Sequence, residues 1–282
     1  MTRGLPPTPQ PAPVPTTWLG VCGWPIRHSR SPEMHNAALG AAGLHAWRYL
    51  RLPLPPELFA AAVRALPARG FAGVNVTIPH KEAALALADE ATPLASAIGA
   101  ANTLAFRADG SIEADNTDAP GLLDALPPGH APAGRRALVL GAGGAGRAAV
   151  HALVEAGADV LVWNRTPERA RELAEQLGAT AVGGPVEADI FVNCTSVGLG
   201  GDPDEFKTLP LTADYVRAGS CLVDLVYRDG GTSLLAAARA WGAEVVDGRE
   251  VLIAQGAASF QRWTGGSADR DAMRGALEMT RP

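Results

Sequence analysis

The sequence predicts an α/β chain of two domains, one of them built on a doubly wound parallel sheet. Three observations carry that prediction. Residues 136–166 read as strand, glycine turn, helix, strand. Ala137 to Leu140 is a short apolar run of the kind buried on both faces of a parallel sheet, and Gly141, Gly143 and Gly146 follow at G-x-G-x-x-G spacing. Ala148, Ala149, Ala152, Leu153 and Ala156 then form an apolar stripe at helical spacing, Gly157 ends it, and Val160 to Trp163 is a second apolar run. Elsewhere short apolar runs alternate with helical patterns, as βα units do. The 282 residues, 47% hydrophobic and 19% charged, suffice for two cores.

Taken in order, residues 1–16 carry Pro6, Pro7, Pro9, Pro11, Pro13 and Pro15, and an extended or disordered tail is expected. Trp18 to Cys22 is the first strand. Pro32 suits the first turn of a helix over Glu33 to Ala42, which leaves Ser29 and Ser31 on the loop before a helix N-terminus. Two hydroxyls at a positive dipole end suit a carboxylate, whereas a plain helix cap needs one serine. Trp47 to Leu52 reads as a strand and Pro56 to Leu66 as a helix. Phe71 to Ile78 is a third strand, ending in Asn75-Val76-Thr77-Ile78-Pro79-His80-Lys81. A helix with Ala84, Leu85 and Ala88 on one face follows. A lysine at a helix start opposes the dipole, so Lys81 leans towards function. Leu104 to Arg107 and Ser111 to Ala114 form a hairpin around Asp109-Gly110. In Asp115-Asn116-Thr117-Asp118 turn and cap roles compete with binding. Leu122 to Leu126 is helical and residues 127–134 are a linker.

The glycine turn has a chemical reading. Gly141 permits the tight turn, Gly143 lets the backbone approach a pyrophosphate, and Gly146 lets helix and strand pack closely. The N–H groups of the segment Gly141, Ala142, Gly143, Gly144, Ala145 and Gly146, at a helix start, suit phosphate. An NAD site usually carries Asp or Glu at the end of the second strand. Here stand Asn164, Arg165 and Thr166, with Arg169 beside them and no acid. Arg165 offers a planar fork of donors to a 2′-phosphate, so NADP is the expected cofactor. Beyond lie a helix over Pro167 to Leu177, strands near Thr180 to Val182 and at Asp189 to Cys194, and a loop from Thr195 to Pro210. A strand at Cys221 to Val226 ends in Tyr227-Arg228. A helix at Ser233 to Trp241, a strand at Glu244 to Val246, and helices at Val251 to Thr264 (with Gln255) and Ala268 to Met279 complete the chain.

The net charge of −5 gives no reason to expect nucleic acid or an anionic membrane as a partner. No apolar run has transmembrane length and the N-terminus lacks a signal-peptide core, so a cytoplasmic protein is expected. Cys22, Cys194 and Cys221 are far apart, fit no metal or disulfide pattern, and read as small core residues in a reducing compartment. No metal is expected, because no cluster has ligand spacing.

His28-Ser29-Arg30-Ser31-Pro32, the Asn75 to Lys81 run, Gly99-Ala100-Ala101-Asn102-Thr103, Asp115 to Asp118, the glycine turn, Asn164-Arg165-Thr166 and Gln255-Gly256-Ala257 occur in the order seen in shikimate dehydrogenases. The resemblance covers about residues 18–280 and rests on several independent motifs. It implies a substrate domain (17–118 with 248–282), a Rossmann-type NADP domain (119–247), and reversible NADPH-dependent reduction of 3-dehydroshikimate to shikimate. Ser29 and Ser31 would hold the substrate carboxylate. Asn75, Thr77, Lys81, Asn102, Thr117, Asp118, Tyr227 and Gln255 would contact ring hydroxyls or the reacting oxygen. Leu225 and Gly248 would meet the nicotinamide end. Ketone reduction needs a hydride and a positioned acid, and Lys81 held by Asp118 is the expected pair. His80 departs from the pattern, standing where an aromatic residue or leucine is common. The partner expected is a small molecule, for a monomer or homodimer. The rivals are a dehydrogenase that also takes quinate with NAD, and a non-catalytic NADP sensor, which would need neither Lys81 nor Asp118.

Overall fold

The structure, a computed structural model, describes residues 16–279, so the proline-rich stretch expected as a tail lies outside it apart from Thr16. Two six-stranded sheets organise the chain. In the first, β1 (Thr17–Gly23) lies between β2 (Trp47–Pro53) and β3 (Phe71–Val76), parallel to both. The hairpin β5 (Thr103–Phe106) and β6 (Ile112–Asp115) continues it antiparallel, and β4 (Glu90–Ala91) closes the edge, giving the order β2-β1-β3-β5-β6-β4. One face packs α1 (Ser31–Ala41), α9 (Gly248–Thr264) and α10 (Arg270–Glu278) around Leu19, Val21, Tyr49 and Phe260. The other packs α2 (Pro56–Ala65) and α3 (Lys81–Leu87) around Phe59, Val74 and Leu104.

The second sheet is wholly parallel, in the order β12-β11-β10-β7-β8-β9. Its strands are β7 (Arg136–Leu140), β8 (Asp159–Trp163), β9 (Thr180–Ala181), β10 (Ile190–Asn193), β11 (Cys221–Asp224) and β12 (Glu244–Asp247), with α6 (Gly144–Glu155), α7 (Pro167–Leu177) and α8 (Ser233–Ala240) as crossovers. Leu138, Val139, Ile190 and Val192 have no exposed surface, as strands covered on both faces require. The chain leaves β7 towards β9, then returns to place β10 on β7's other side. The switch point of this doubly wound sheet therefore lies between Leu140 and Asn193, where ligands enter such folds.

Three local differences from the sequence reading have physical reasons. β3 ends at Val76 rather than Ile78, because the His80 N–H turns back to the Thr77 carbonyl at 2.9 Å. A helix α5 (Asp118–Ala125) starts four residues before the expected Leu122. The Asn116 side chain accepts the N–H groups of Asp118 and Ala119 at 3.0 and 3.3 Å, and Pro120 is tolerated in a first turn. The helix α4 (Pro93–Ile98) is not foreshadowed by the pattern. Thr92 caps it through the Ala95 N–H at 3.1 Å, Pro93 opens it and Gly99 (φ +74°) ends it, but six residues are too few to show periodicity.

Candidate active site

A solvent-open cleft of about 180 Å³ lies at the carboxyl ends of β1, β3, β7, β10 and β11, between the two sheets. Lys81 is the first residue of α3, and its ammonium sits 2.6 Å from Asp118 Oδ2. Both side chains are mostly buried, at 12% and 18% exposed, so their attraction is weakly screened. The other Asp118 oxygen accepts from Asn102 Nδ2 at 2.8 Å. That amide also lies 3.0 Å from Thr117 Oγ1 and 3.2 Å from Gln255 Oε1, while Asn102 Oδ1 accepts the Thr117 N–H at 2.7 Å. The Ala101 N–H donates to the Lys81 carbonyl at 2.9 Å, so the Gly99–Asn102 segment carries both the lysine's backbone and the residue that orients its partner.

Asn75 is held from behind: Tyr49 donates to its Oδ1 at 2.7 Å, and its amide donates to the Asn102 carbonyl and Thr103 Oγ1. Burial raises the Tyr49 phenol well above its ordinary range, so it stays a donor. Ser29 and Ser31 hydroxyls lie 3.2 Å apart on the cleft wall, and the Tyr227 hydroxyl accepts the Arg30 N–H at 3.3 Å. Helix α1 starts at Ser31 with Arg30 as its N-cap residue, whose side chain makes no cap bond, while Ser29 Oγ accepts the Ser31 N–H at 3.3 Å. Gly121 lets α5 meet α9, since a Cβ there would lie 2.7 Å from Gln255 backbone nitrogen.

Ala145, Ala148 and Ala149 of α6 form the opposite wall, and the glycine turn leads into that helix. Gly141 has φ +106°, and a Cβ on Gly146 would lie 2.0 Å from the Gly141 carbonyl oxygen. A Cβ on Gly144 would lie 2.7 Å from Lys81 Cβ, so the turn rests on the lysine's stem. Asn164 accepts the Ala142 N–H at 3.2 Å and donates to the Thr166 carbonyl at 2.9 Å, tying the turn to the end of β8. Arg165, Thr166 and Arg169 are exposed beside it, and neither arginine has a hydrogen-bond or ion-pair partner among the described residues. Gly248 has no room for a Cβ, which would lie 2.6 Å from the Asp224 and 2.7 Å from the Leu225 carbonyl oxygens.

Family models match this chain in three places. The shikimate dehydrogenase substrate binding domain matches residues 21–104, shikimate / quinate 5-dehydrogenase matches 129–190, and the shikimate 5'-dehydrogenase C-terminal domain matches 248–278. A protein of Paracoccus denitrificans named shikimate dehydrogenase (NADP(+)) is 46% identical over 271 residues, covering 92% of this chain and 93% of its own. The chain belongs to the shikimate dehydrogenase family. A second relative of that name, from Rubrobacter xylanophilus, is 44% identical over 93% of this chain and 95% of its own. Among solved structures, the Thermus thermophilus shikimate 5-dehydrogenase in complex with NADP(H) and shikimate is 44% identical. It aligns with a TM-score of 0.83 over 93% of this chain and 98% of that one. A 5-ketofructose reductase of Gluconobacter aligns at 0.82 and 31% identity, over 93% of this chain and 98% of that one.

Within that family frame most of the expected residues line the cleft: Ser29, Ser31, Asn75, Thr77, Lys81, Asn102, Asp118, Tyr227, Gln255, Ala145, Leu225 and Gly248. Thr117 does not, being buried and turned to Asn102 behind the wall, and neither do Gly141, Ala142, Gly143, Gly144, Gly146, Asn164, Arg165, Thr166 and Arg169, which lie outside the cleft lining. His80 fills an aromatic place as an aromatic, stacked on Phe59 at 4.2 Å with Nε2 2.7 Å from the Leu54 carbonyl. Cys194 adds to the sequence reading. It is half-buried, packing against the core of the second sheet as expected but also lining the cleft, because it follows β10 at the switch point, and burial raises its thiol pKa. Cys22 and Cys221 are core residues, pushed up to about 12 by burial. His28, quoted in its motif but given no role there, and Thr195, which nothing in the sequence marks, also line the cleft.

Proposed function

We propose that this enzyme catalyses the reversible NADPH-dependent reduction of 3-dehydroshikimate to shikimate, on the route to chorismate and the aromatic amino acids. The observation that carries the reading is the Lys81–Asp118 pair, 2.6 Å apart in a cleft whose other wall is the start of α6, just after the glycine turn. Residues 17–118 and 248–282 form the substrate domain and 119–247 the NADP domain, a division supported by the membership of the two sheets.

Ser29, Ser31 and the Tyr227 hydroxyl bind the substrate carboxylate at the start of α1, where the helix dipole favours an anion. Asn75, Thr77, Asn102 and Gln255 orient the ring through its hydroxyls, and Thr117 acts behind them by fixing Asn102. The N–H groups of the Gly141–Gly146 turn hold the pyrophosphate. Asn164 keeps that turn in shape, while Arg165, with Thr166 and Arg169, takes the 2′-phosphate. The backbone around Leu225 and Gly248 receives the nicotinamide end, and the missing Cβ at 248 is what keeps α9 against that backbone. When bound, NADPH supplies the hydride. Lys81 Nζ gives its proton to the ketone oxygen as the carbonyl carbon is reduced. In the reverse direction it takes that proton from the shikimate hydroxyl. Asp118 holds the ammonium in place and accepts from a neighbouring substrate hydroxyl.

The ligand is a small molecule, and the enzyme acts in the cytoplasm as a monomer or homodimer. The three free cysteines support a reducing compartment. Among the described residues no helix is long and apolar enough to cross a membrane. Initial rates of NADPH formation with shikimate or quinate, crossed with NADP or NAD, test the whole reading. Shikimate with NADP should give the highest kcat/KM. Equal rates with quinate and NAD would make the enzyme dual-specific, and no turnover would leave an NADP-binding sensor.

A further inference from the structure

Arg30 stands between the two serines, yet its guanidinium points elsewhere. Its side chain is 9% exposed, at the N-cap of α1, where a helix dipole disfavours a cation. The guanidinium is turned to the far end of another helix. Nη2 donates to the carbonyls of Ala276 and Met279 at 3.3 and 2.9 Å, at the C-terminus of α10, where the dipole favours it. Nη1 reaches Asp229 Oδ1 at 3.1 Å, in the loop after β11 of the second sheet. Two residues earlier on that loop, Tyr227 accepts the Arg30 backbone N–H. One residue of the first sheet's layer thus grips the second sheet's loop at two points, main chain and side chain. Because the Tyr227 oxygen is an acceptor there, its own O–H remains to donate, and burial, which raises its pKa, keeps it protonated.

We propose that Arg30 is a positioning residue for the substrate carboxylate: through Asp229 it seats the Tyr227–Asp229 loop on the Ser29–Ser31 turn, so that three hydroxyls face one anion. This rests on the reading of Ser29, Ser31 and Tyr227 given above. The bland alternative is that Arg30 only caps α10. The two differ at Asp229, which has no part in that cap and whose side chain is 59% exposed, so removing its charge leaves the fold intact.

Steady-state kinetics of the full chain separate them. Asp229→Asn should raise KM for shikimate about three- to fivefold, as a half-exposed ion pair allows, with kcat within about twofold and KM for NADP unchanged. The effect should shrink towards none in high salt, which screens the pair. Arg30→Met should raise KM at least as much, Arg30→Lys should recover part of it, and Arg30→Met with Asp229→Asn should be no worse than Arg30→Met alone. Thermal melts of each variant report the α10 cap separately. Tyr227→Phe and Ser29→Ala serve as controls on the carboxylate site. If the controls raise KM while Asp229→Asn does not, or the Arg30 and Asp229 losses add, the latch is overturned and the site stands. If the controls leave KM unchanged, the carboxylate reading fails and the latch with it.

Discussion

Lys81 depends on Asp118 for its orientation, and the pair is the sharpest place to test the mechanism. A positioned acid–base group contributes about 10²–10⁴ in rate, so Lys81→Ala should lower kcat by that order while substrate affinity changes much less. Asp118→Asn should also lose rate, and the double variant should be little worse than the worse single, because the two act as one unit. Near-normal turnover in Lys81→Ala would sink the mechanism, and additive losses would sink the pairing. Reduction consumes a proton and oxidation releases one, so the ratio of shikimate oxidation to the reverse rate should rise with pH. A second residue test concerns Asp224, at the end of β11 with no exposed surface. It accepts from Asn193, Val226 N–H and Thr232 at 2.8, 3.1 and 2.6 Å, but burial outweighs these bonds and lifts its carboxyl to about 6. The folded pKa exceeds the unfolded 3.8, so this group's stabilising contribution is full below about 3.8 and lost as pH rises through about 6. Asp224→Asn mimics the protonated form and keeps an acceptor for Val226. Its stability should match the wild type near pH 4 and exceed it above pH 6, by on the order of 2–3 kcal/mol. Parallel stability–pH curves would mean the carboxylate ionises at no loss.

At the scale of elements, two glycines decide how close the helices come. Gly146→Ala would drive a Cβ into the Gly141 carbonyl at 2.0 Å, so the β7–α6 turn must open. NADP binding, followed by nucleotide fluorescence, should weaken sharply, with stability lower by about 1–3 kcal/mol. This element is legible in the sequence, because strand, turn and helix are encoded within one contiguous run. Gly121 is not. Its need for a bare Cα arises from Gln255, more than a hundred positions away on α9, and no local pattern announces it. The start of helix α5 is hidden for a related reason. The Asn116 side chain stabilises that start, ahead of a Pro120 that otherwise reads as a breaker. The loop motif and the helix are one device, delivering Asp118 from its first residue.

For the whole molecule, cofactor choice is the property to measure. Arg165→Ala should raise KM for NADP by roughly one to two decades, as loss of a charge-assisted contact does, and leave NAD nearly unaffected. Equal losses with both nucleotides would make Arg165 structural. In the melt, NADP at about 100 times its Kd should stabilise the wild type by about 2.7 kcal/mol, and in Arg165→Ala the same concentration should give a smaller shift, close to that from NAD. An unchanged shift would count against the 2′-phosphate contact. The sequence by itself determined the strand and helix alternation, the dinucleotide turn with its arginine in place of an acid, and, through motif resemblance, most of the polar residues lining the cleft. These are local properties, carried by spacing within a few dozen residues. Only the tertiary structure decided which of them meet. The Lys81–Asp118 pair is expected from the resemblance, but Asn102 and Gln255, 153 positions apart, are brought within hydrogen-bonding distance with no such signal. Cys194 lines the cleft as well as the core, Thr117 sits behind the wall as support, and Arg30, quoted in its motif but given no role there, ties the two layers together. Their roles depend on how the two sheets are set against each other, and burial and partnership across that junction are properties of the assembled packing, which no local run of residues contains.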